Sequence, residues 1–180
     1  MSDPAAPTDD VLARWLAREA EVRPRFATPG VARPEQLVGR SGLQVLQAML
    51  DGELPPAPIA RTLDFILLEV AHGRAVFQGR PAFDHYNPLG TVHGGWIATL
   101  LDSSVGCAIH SALPAGKTYT TLELKVNYVK AVTERVPRVQ AQGEVIHLGG
   151  RVGTAQARLV GPDGTLFAHA STTCLVMDPR

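Results

Sequence analysis

The chain has 180 residues, a length that fits one domain and leaves little room for two. Forty-five per cent of the residues are hydrophobic, which excludes a globally disordered chain. Seventeen basic residues balance seventeen acidic ones, and this zero net charge argues against a nucleic-acid surface and against electrostatic anchoring to a membrane.

The first part of the chain is predicted to form an N-terminal helical extension. Apolar residues at helical spacing predict two helices, the second of which begins after Ser41. Between them, residues 23–34 contain three prolines, and this predicts a loop. A proline-rich stretch at residues 55–58 marks a change in composition. The sequence therefore predicts an extension over residues 1–57 and a main domain over residues 58–180.

The main domain is predicted to consist mostly of β-strands. Turn signals delimit six strands at Thr62–Val70, Arg74–Gly79, Thr118–Val129, Arg138–Leu148, Val152–Val160 and Thr165–Met177. Short turns are expected to join the last four strands, which predicts an antiparallel meander. Within the third strand, simple alternation places Thr121 and Leu124 on opposite faces.

Residues 94–110, with the sequence GGWIATLLDSSVGCAIH, do not follow the strand pattern. A helix that is apolar or small on nearly every side is expected to be buried. One buried helix against antiparallel strands gives an α+β layout, in which the sheet wraps around the helix.

Asp102 lies in the middle of this predicted helix. No other Asp, Glu, Lys or Arg occurs between Asp84 and Lys117. Burying a carboxylate among apolar residues is costly unless it is paired, protonated or turned towards a cavity. Two interpretations stay open at this point: a reactive acid, or a structural group that accepts hydrogen bonds from nearby hydroxyls.

Gly94 and Gly95 begin the same helix. N–H groups in a first helical turn have no intrahelical acceptor, and glycine lets a substrate oxygen approach them closely. Such donors at the positive end of a helix can form an oxyanion hole. A tight loop that needs glycine for packing is the alternative.

The spacing between these features predicts a dimer. Gly95 and Asp102 are seven residues apart, so they share a helix face but lie about 10–12 Å apart along the axis. One carbonyl group cannot contact both. Two antiparallel helices related by a two-fold axis would bring the Gly-Gly end of one chain to Asp102 of the other.

The segments YNPLGTVHGGWIATLLDSSVG and TTLELKVNYVK closely resemble the hotdog-fold acyl-CoA thioesterases of the PaaI-like, phenylacetate-degradation group. The resemblance covers roughly residues 58–180. It rests on His-Gly-Gly with an Asn six residues before the His and an acid nine residues after it. It implies a hotdog fold, with an antiparallel sheet around one long central helix, and assembly as dimers or dimers of dimers with active sites between subunits.

The resemblance also implies roles for individual residues. Asp102 corresponds to the catalytic acid, which acts as nucleophile or as general base on a water. The Gly94 N–H corresponds to the donor that polarises the thioester carbonyl. Asn87 corresponds to a residue that positions the thioester or the water, and His93 to a group that supports the site by hydrogen bonding.

Three further positions follow from the resemblance. The Thr121 hydroxyl is expected near the acid, and Gly95 is expected to contact the substrate. Arg151 falls where family members often carry a basic residue near the CoA phosphates. No metal and no redox cofactor are implied.

The sequence therefore predicts hydrolysis of an acyl-CoA thioester, with an aryl or medium-chain acyl group, to the free acid and CoA. Two alternatives remain: a non-catalytic acyl-CoA-binding hotdog module and a hotdog enoyl-CoA hydratase. The expected partners are the acyl-CoA substrate and further copies of the chain, with no nucleic acid and no membrane.

The cysteines and the N-terminus indicate a location. Cys107 and Cys174 have neither disulfide-scaffold nor metal-ligand spacing. The N-terminal residues lack the pattern of a signal peptide, and no apolar run reaches the ~18 residues of a membrane span. A cytoplasmic protein is expected.

Overall fold

A computed structural model describes residues 8–26 and 28–178. Residues 1–7 of the predicted extension lie outside the described residues. The helices are α1 (Thr8–Val22), α2 (Pro34–Leu37), α3 (Gly42–Leu50), α4 (Pro58–Thr62) and α5 (Gly94–Ser111), with 3₁₀ turns at Arg23–Phe26 and Phe83–His85. The strands are β1 (Phe65–Ala71), β2 (Arg74–Gly79), β3 (Thr118–Tyr128), β4 (Val139–Leu148), β5 (Val152–Val160) and β6 (Leu166–Met177).

These strands form one antiparallel sheet in the order β1-β2-β4-β5-β6-β3, and α5 packs against all of them. Leu100, Leu101, Val105 and Ile109 of α5 have no exposed surface. Gly143 of β4 lets the helix approach, because a Cβ atom there would overlap the backbone of α5. The predicted α+β hotdog architecture, with a central helix and an N-terminal helical extension, is confirmed.

The predicted meander of the last four strands is wrong for β3. Strands β4, β5 and β6 are consecutive neighbours, but β3 pairs with β6 and lies at the edge of the sheet. Residues 129–138 carry the chain from this edge to the middle of the sheet, where β4 pairs with β2 and β5. A connection of this length does not need its two strands to be neighbours. The other edge of β3 has no partner among the described residues.

The predicted alternation of β3 is also wrong. The pairing of β3 with β6 shifts between Thr121 and Glu123, which marks a β-bulge at Leu122. The extra residue changes the phase of the strand. Thr121 therefore faces inward with Leu124, and Leu122 is exposed.

The chain around the predicted domain boundary is more helical than the sequence indicates. The predicted loop over 23–34 contains the 3₁₀ turn at Arg23–Phe26, and the predicted strand from Thr62 begins only at Phe65. Pro58 occupies the first turn of the short helix α4, where its missing N–H costs nothing. The indole N–H of Trp96 donates to the Leu63 carbonyl at 2.8 Å, just after α4. The boundary between 57 and 58 stays a prediction.

The helix α3 docks directly on the C-terminal end of α5. The Gly42 N–H donates to the Leu113 carbonyl at 3.1 Å. A Cβ atom on Gly42 would overlap the carbonyl oxygen of His110, so the contact requires glycine. Ser41 caps α3 by accepting from the Gln44 N–H, which is the start predicted for this helix.

The helix α1 is fixed to the sheet by a buried carboxylate. Glu19 accepts hydrogen bonds from Arg138 (2.6 Å), Arg23 (2.7 Å) and the amide of Gln78 (2.7 Å). The Gln78 amide also lies 3.4 Å from the Trp15 carbonyl. A buried charge is tolerated when it is paired and hydrogen-bonded in this way.

Within residues 8–26 and 28–178, none of the helices combines the length and the apolar character that crossing a lipid bilayer requires.

Candidate active site

Asn87 fixes the shape of the loop that leads into α5. Its side-chain oxygen accepts from the backbone N–H groups of Leu89 (2.9 Å) and Thr91 (3.3 Å), and its amide nitrogen donates to the Thr91 hydroxyl at 3.0 Å. A primary amide has two N–H donors, so one of them is left for a ligand. Asn87 therefore organises the loop before any substrate is considered.

His93 caps α5 and takes up one of its first donors. Its Nδ1 accepts from the Gly95 N–H at 2.8 Å, and its own backbone N–H donates to the His85 carbonyl at 2.7 Å. This capping bond commits the Gly95 N–H within the chain. The Gly94 N–H, by contrast, has no acceptor among the residues that the structure describes. Gly94 is thus the free backbone donor that an oxyanion hole needs.

Tyr128 of β3 covers one side of this helix end. Its hydroxyl donates to the Gly94 carbonyl at 2.9 Å. A Cβ atom on Gly94 would lie 3.0 Å from the Tyr128 ring, and one on Gly95 would lie 2.9 Å from His93 Nδ1. Close packing therefore accounts for small residues at both positions, and it is compatible with the interpretation of the Gly-Gly pair as an oxyanion hole.

Asp102 is half-buried two turns further along α5. The Thr121 hydroxyl donates to its Oδ1 at 3.3 Å, which the inward phase of β3 makes possible. Asp102 does not lie in a sealed interior, because its side chain forms part of a cavity wall. The carboxylate is consequently both held by a hydroxyl and open to a ligand.

The cavity beside Asp102 has a volume of about 540 Å³ and is lined mostly by apolar side chains. Its wall includes Asp102, Ser103 and Cys107 of α5, and Tyr119 and Thr121 of β3. This size and composition are typical of a small-molecule pocket. The remaining lining residues are Arg23, Phe26, Pro29, Leu46, Met49, Pro56, Ala57, Ile59, Ala60, Arg61, Asp64, Phe65, Ile66, Leu67, Phe77 and His110.

The groups deep in this cavity are held in their uncharged forms. Burial raises the pKa of the Cys107 thiol to about 12, and the negative charge of Asp102 adds to the shift. Burial likewise raises the pKa of Tyr119 well above its ordinary value and lowers that of His110. His110 Nδ1 is buried without a hydrogen-bond partner among the described residues. A low-polarity environment of this kind strengthens any charge–dipole interaction with a bound thioester.

Two groups of candidate residues emerge in one protomer. His93 and Gly94 lie at the N-terminal end of α5, after the loop that Asn87 shapes, whereas Asp102 and Thr121 meet at the middle of the helix. Eight residues of helix separate Gly94 from Asp102, a rise of about 12 Å. One thioester carbonyl cannot contact both groups within a single chain.

Arg151 joins neither group. It lies in the turn between β4 and β5 and is exposed. Gly153, two residues later, packs against Ile109 near the C-terminal end of α5, at the opposite end from Gly94.

Sequence reasoning missed part of the cavity wall. Phe26, Leu46 and Met49 belong to the predicted extension, and Tyr119 and His110 had been given no place at the site. The apolar pattern of the second helix indicated that its face is buried, but it did not indicate what that face covers. The bulge that turns Tyr119 inward left no signal in the sequence.

No three His, Cys, Asp or Glu side chains of residues 8–26 and 28–178 gather closely enough to hold a metal ion. Both cysteines are free thiols.

With this geometry established, the chain can be compared with known proteins. Residues 89–168 match the profile of the Thioesterase superfamily. The match contains His93, Gly94, Asp102, Thr121 and Arg151, and it begins just after Asn87. Over this segment the chain is similar to that superfamily.

A curated protein of Halobacterium salinarum that carries the name of an esterase is 36% identical over 82 residues. The alignment covers 44% of this chain and 52% of the relative, so the chain spans about half the length of the curated relative that it matches.

Solved structures confirm the resemblance to the PaaI-like group. A variant of phenylacetic acid degradation protein PaaI from Thermus thermophilus is 28% identical, with a TM-score of 0.59 over 66% of this chain and 97% of that one. A phenylacetic acid degradation-related protein of Ralstonia eutropha is 25% identical, with a TM-score of 0.65 over 72% of this chain and 97% of that one. AziG of S. sahachiroi, at 19% identity and a TM-score of 0.66 over 68% of this chain and 98% of its own, shares the fold.

Proposed function

We propose that this protein is a member of the thioesterase superfamily and hydrolyses an acyl-CoA thioester to the free acid and CoA. The observation that carries the proposal is the position of Asp102 on the wall of a largely apolar cavity, with Thr121 donating to its carboxylate. An acid with this environment is suited to act on an electrophile bound in an apolar pocket. The family match supports the same reaction class.

In the proposed reaction the thioester carbonyl oxygen accepts a hydrogen bond from the Gly94 N–H. Asp102 either removes a proton from the attacking water or attacks the carbonyl carbon itself to form an anhydride that water then cleaves. In both routes the C–S bond breaks, and the CoA sulfur leaves with the bonding electrons and takes up a proton. The oxygen atom of the water becomes part of the acid product.

We further propose that each site takes Gly94 from one subunit and Asp102 from the other. The 12 Å rise between them, about eight residues at 1.5 Å, requires a second chain if both act on one carbonyl. The surface around β3 supports such a contact: Leu122 (59% exposed) on this strand, Val129 (57%) directly after it and Leu89 (89%) in the loop before α5 are large apolar residues open to solvent. The outer edge of β3 has no strand partner among the described residues. A homodimer, or a dimer of such dimers, would cover these groups.

Arg151 is proposed to contact the phosphates of CoA, because it is an exposed cation in the turn between β4 and β5. The protein is proposed to act in a reducing, cytoplasmic compartment, where its two free thiols would persist.

The test is the Asp102→Asn variant with a panel of acyl-CoA thioesters and a thiol reagent that reports CoA release. We expect a loss of at least ~10²-fold in kcat, because the amide can neither accept the proton nor attack. Glu123→Gln is the matched control, since it removes the same charge from an exposed site on the same strand as Thr121. It should keep its activity.

Three outcomes would contradict the proposal. Near-normal hydrolysis by Asp102→Asn would show that the carboxylate of Asp102 is not needed for the reaction. Tight binding of acyl-CoA by the unaltered protein with no CoA release would favour the non-catalytic binding module, and hydration of enoyl-CoA would favour the hydratase.

A further inference from the structure

The N-terminal extension forms one wall of the cavity. Phe26, Pro29, Leu46, Met49 and Pro56 of the extension line it. The main domain lines it through residues of β1, α5 and β3. The extension is therefore part of the pocket and not an appendage outside it.

This wall is fixed in place. The close contact of Gly42 with the His110 carbonyl holds α3 against α5, and the Glu19–Arg138 ion pair holds α1 against the sheet. Arg23, at the start of the turn that carries Phe26, is bonded to both Glu19 and Asp64 at 2.7 and 2.9 Å. These contacts fix the orientation of α1, α3 and the turn after α1. The fold therefore determines the position of the cavity wall that they form.

The side chains of this wall are apolar, and that of Met49 is flexible although the backbone is held in place. Met49 is partly buried and borders the cavity from α3, and Leu46 on the same helix is almost fully buried. Methionine has an unbranched, flexible side chain that adjusts to apolar ligands. Phe65, Ile66 and Leu67 of β1 also line the cavity, so an acyl group bound there would meet hydrocarbon from the extension and from the main domain.

The cavity has room for a hydrocarbon group. Its volume of about 540 Å³ lies in the range of small-molecule pockets, so it can take a phenylacetyl group or a straight acyl chain. The charged side chains on its border are Arg23, Arg61, Asp64 and Asp102, and the other lining residues are mostly apolar. An unbranched aliphatic chain would match this apolar part of the lining.

We infer that the N-terminal extension is the acyl-selectivity element of the protein, and that Met49 limits the length of an unbranched medium-chain acyl group bound against it. The inference rests on the proposed thioester hydrolysis and names the substrate class and a specificity-determining residue for that reaction.

The first experiment compares chain-length profiles. Straight-chain acyl-CoA thioesters from butyryl to palmitoyl, together with phenylacetyl-CoA, are assayed with the unaltered protein, Met49→Phe and Met49→Ala. We expect a medium-chain optimum for the unaltered protein. Met49→Phe should lower kcat/KM at least ~10-fold for the longest good substrate and leave butyryl-CoA unaffected, and Met49→Ala should move the optimum to longer chains.

Leu43→Phe is the matched control, because Leu43 lies on the same helix and does not line the cavity. It makes the same kind of substitution on α3 and should keep the original chain-length profile. A profile that shifts equally in Leu43→Phe would show that disturbing α3 is enough, and this would overturn the role of Met49.

The second experiment does not depend on turnover. The increase in Tm on adding free decanoate or free phenylacetate is measured for the Asp102→Asn protein with and without Met49→Phe. Decanoate should give the larger increase, and Met49→Phe should reduce it selectively.

The outcomes separate the two proposals. The selectivity inference is wrong if hydrolysis depends on Asp102 but the chain-length profile does not change when Met49 is substituted. It is also wrong if phenylacetyl-CoA is the best substrate. In both cases the proposed function stands. If no thioester is cleaved but decanoate binds in a Met49-dependent way, thioester hydrolysis is wrong and the pocket assignment stands.

Discussion

At its N-terminal end α5 presents Gly94 beside the exposed Tyr128, whereas its C-terminal half is covered by α3 of the same chain. At the first end a backbone N–H has no acceptor among the described residues. At the second end the Gly42 N–H and the Leu113 carbonyl satisfy one another. The C-terminal end of α5 is thus covered and hydrogen-bonded by its own chain, whereas the N-terminal end keeps a backbone donor without an acceptor among the described residues.

This difference indicates how the chain divides its tasks. The extension supplies the part of the pocket that a single chain can build, namely the apolar wall. The groups at the Gly94 end cannot reach Asp102 within one chain, because the helix between them is rigid. Each experiment below tests one end of α5 or its connection to the rest of the protein.

The largest effect is expected at Gly94. Gly94→Pro removes the N–H donor, and proline is compatible with the first turn of a helix. Gly94→Ala is the matched control, since it adds a Cβ atom against Tyr128 but keeps the N–H. We expect kcat of the Pro variant to be ~10²–10³-fold below that of the Ala variant. Equal rates would show that this N–H does not stabilise the transition state.

Mixing two inactive variants tests whether the site is shared. Hybrid dimers of Gly94→Pro and Asp102→Asn subunits contain one site with both groups intact and one with neither. If Gly94 and Asp102 come from different subunits, purified hybrids should recover about half of the activity per dimer. Hybrids that remain as inactive as their parents would place both groups of each site in the same chain.

The next effect is expected at the other end of α5. Gly42→Ala forces a Cβ atom into the His110 carbonyl and should lower the free energy of unfolding by about 3 kcal/mol. Gly150→Ala is the control, because a Cβ atom there meets no other atom within 4 Å. It should change stability by less than about 0.5 kcal/mol. Urea unfolding of both variants measures the difference, and equal stabilities would exclude tight docking of α3.

A smaller effect is expected from Glu19, which connects α1 to the sheet. Burial raises the pKa of Glu19, but hydrogen bonds from Arg138, Arg23 and Gln78 outweigh this and lower it below its ordinary value of 4.5. A carboxyl group with a lowered pKa in the folded state stabilises fully above pH 4.5, and this contribution is lost as the pH falls further.

We therefore expect Glu19→Gln to lower the free energy of unfolding at pH 7 by about 2 kcal/mol, less than for a fully enclosed pair because Arg23 is partly exposed. The difference from the unaltered protein should shrink as the pH is lowered below 4.5. Urea unfolding at pH 7, 4.5 and 3.5 measures it. A gap that stays constant over this range would contradict the assigned ion pair.

The smallest effect is expected from Thr121. Thr121→Val removes the hydrogen bond to Asp102 and should lower kcat/KM about fivefold, in proportion to a contribution near 1 kcal/mol. Thr121→Ser keeps the hydroxyl and should recover most of the loss. If Val and Ser behave alike, the hydroxyl does not position the acid.

The sequence predicted the central helix and most of the strands because their signals are local. Glycine at the start of α5 and an apolar surface all round it are visible without any tertiary contact. The place of β3 was predicted wrongly, because the pairing of a strand after a ten-residue connection depends on partners distant in the sequence. The bulge at Leu122 was also invisible, since one added residue leaves the apolar pattern intact and only changes its phase.

Much of the candidate site could be named from the sequence, but its shape could not. Asp102 and Gly94 stand out because a lone acid and paired glycines are unusual in an apolar helix. The residues that shape the cavity, such as Met49 and Phe26, are ordinary apolar residues of the extension. Their importance follows only from where α3 and the turn after α1 pack.

The chain has two tryptophans, and the fold places one in each region. Trp15 belongs to α1, and Trp96 lies in the core of the main domain with its indole N–H bonded to Leu63. Replacing either one by phenylalanine leaves a single tryptophan, so selectively excited tryptophan emission during denaturation reports on one region at a time. The protein thus carries intrinsic optical probes that can reveal whether its N-terminal helices melt together with the sheet or ahead of it.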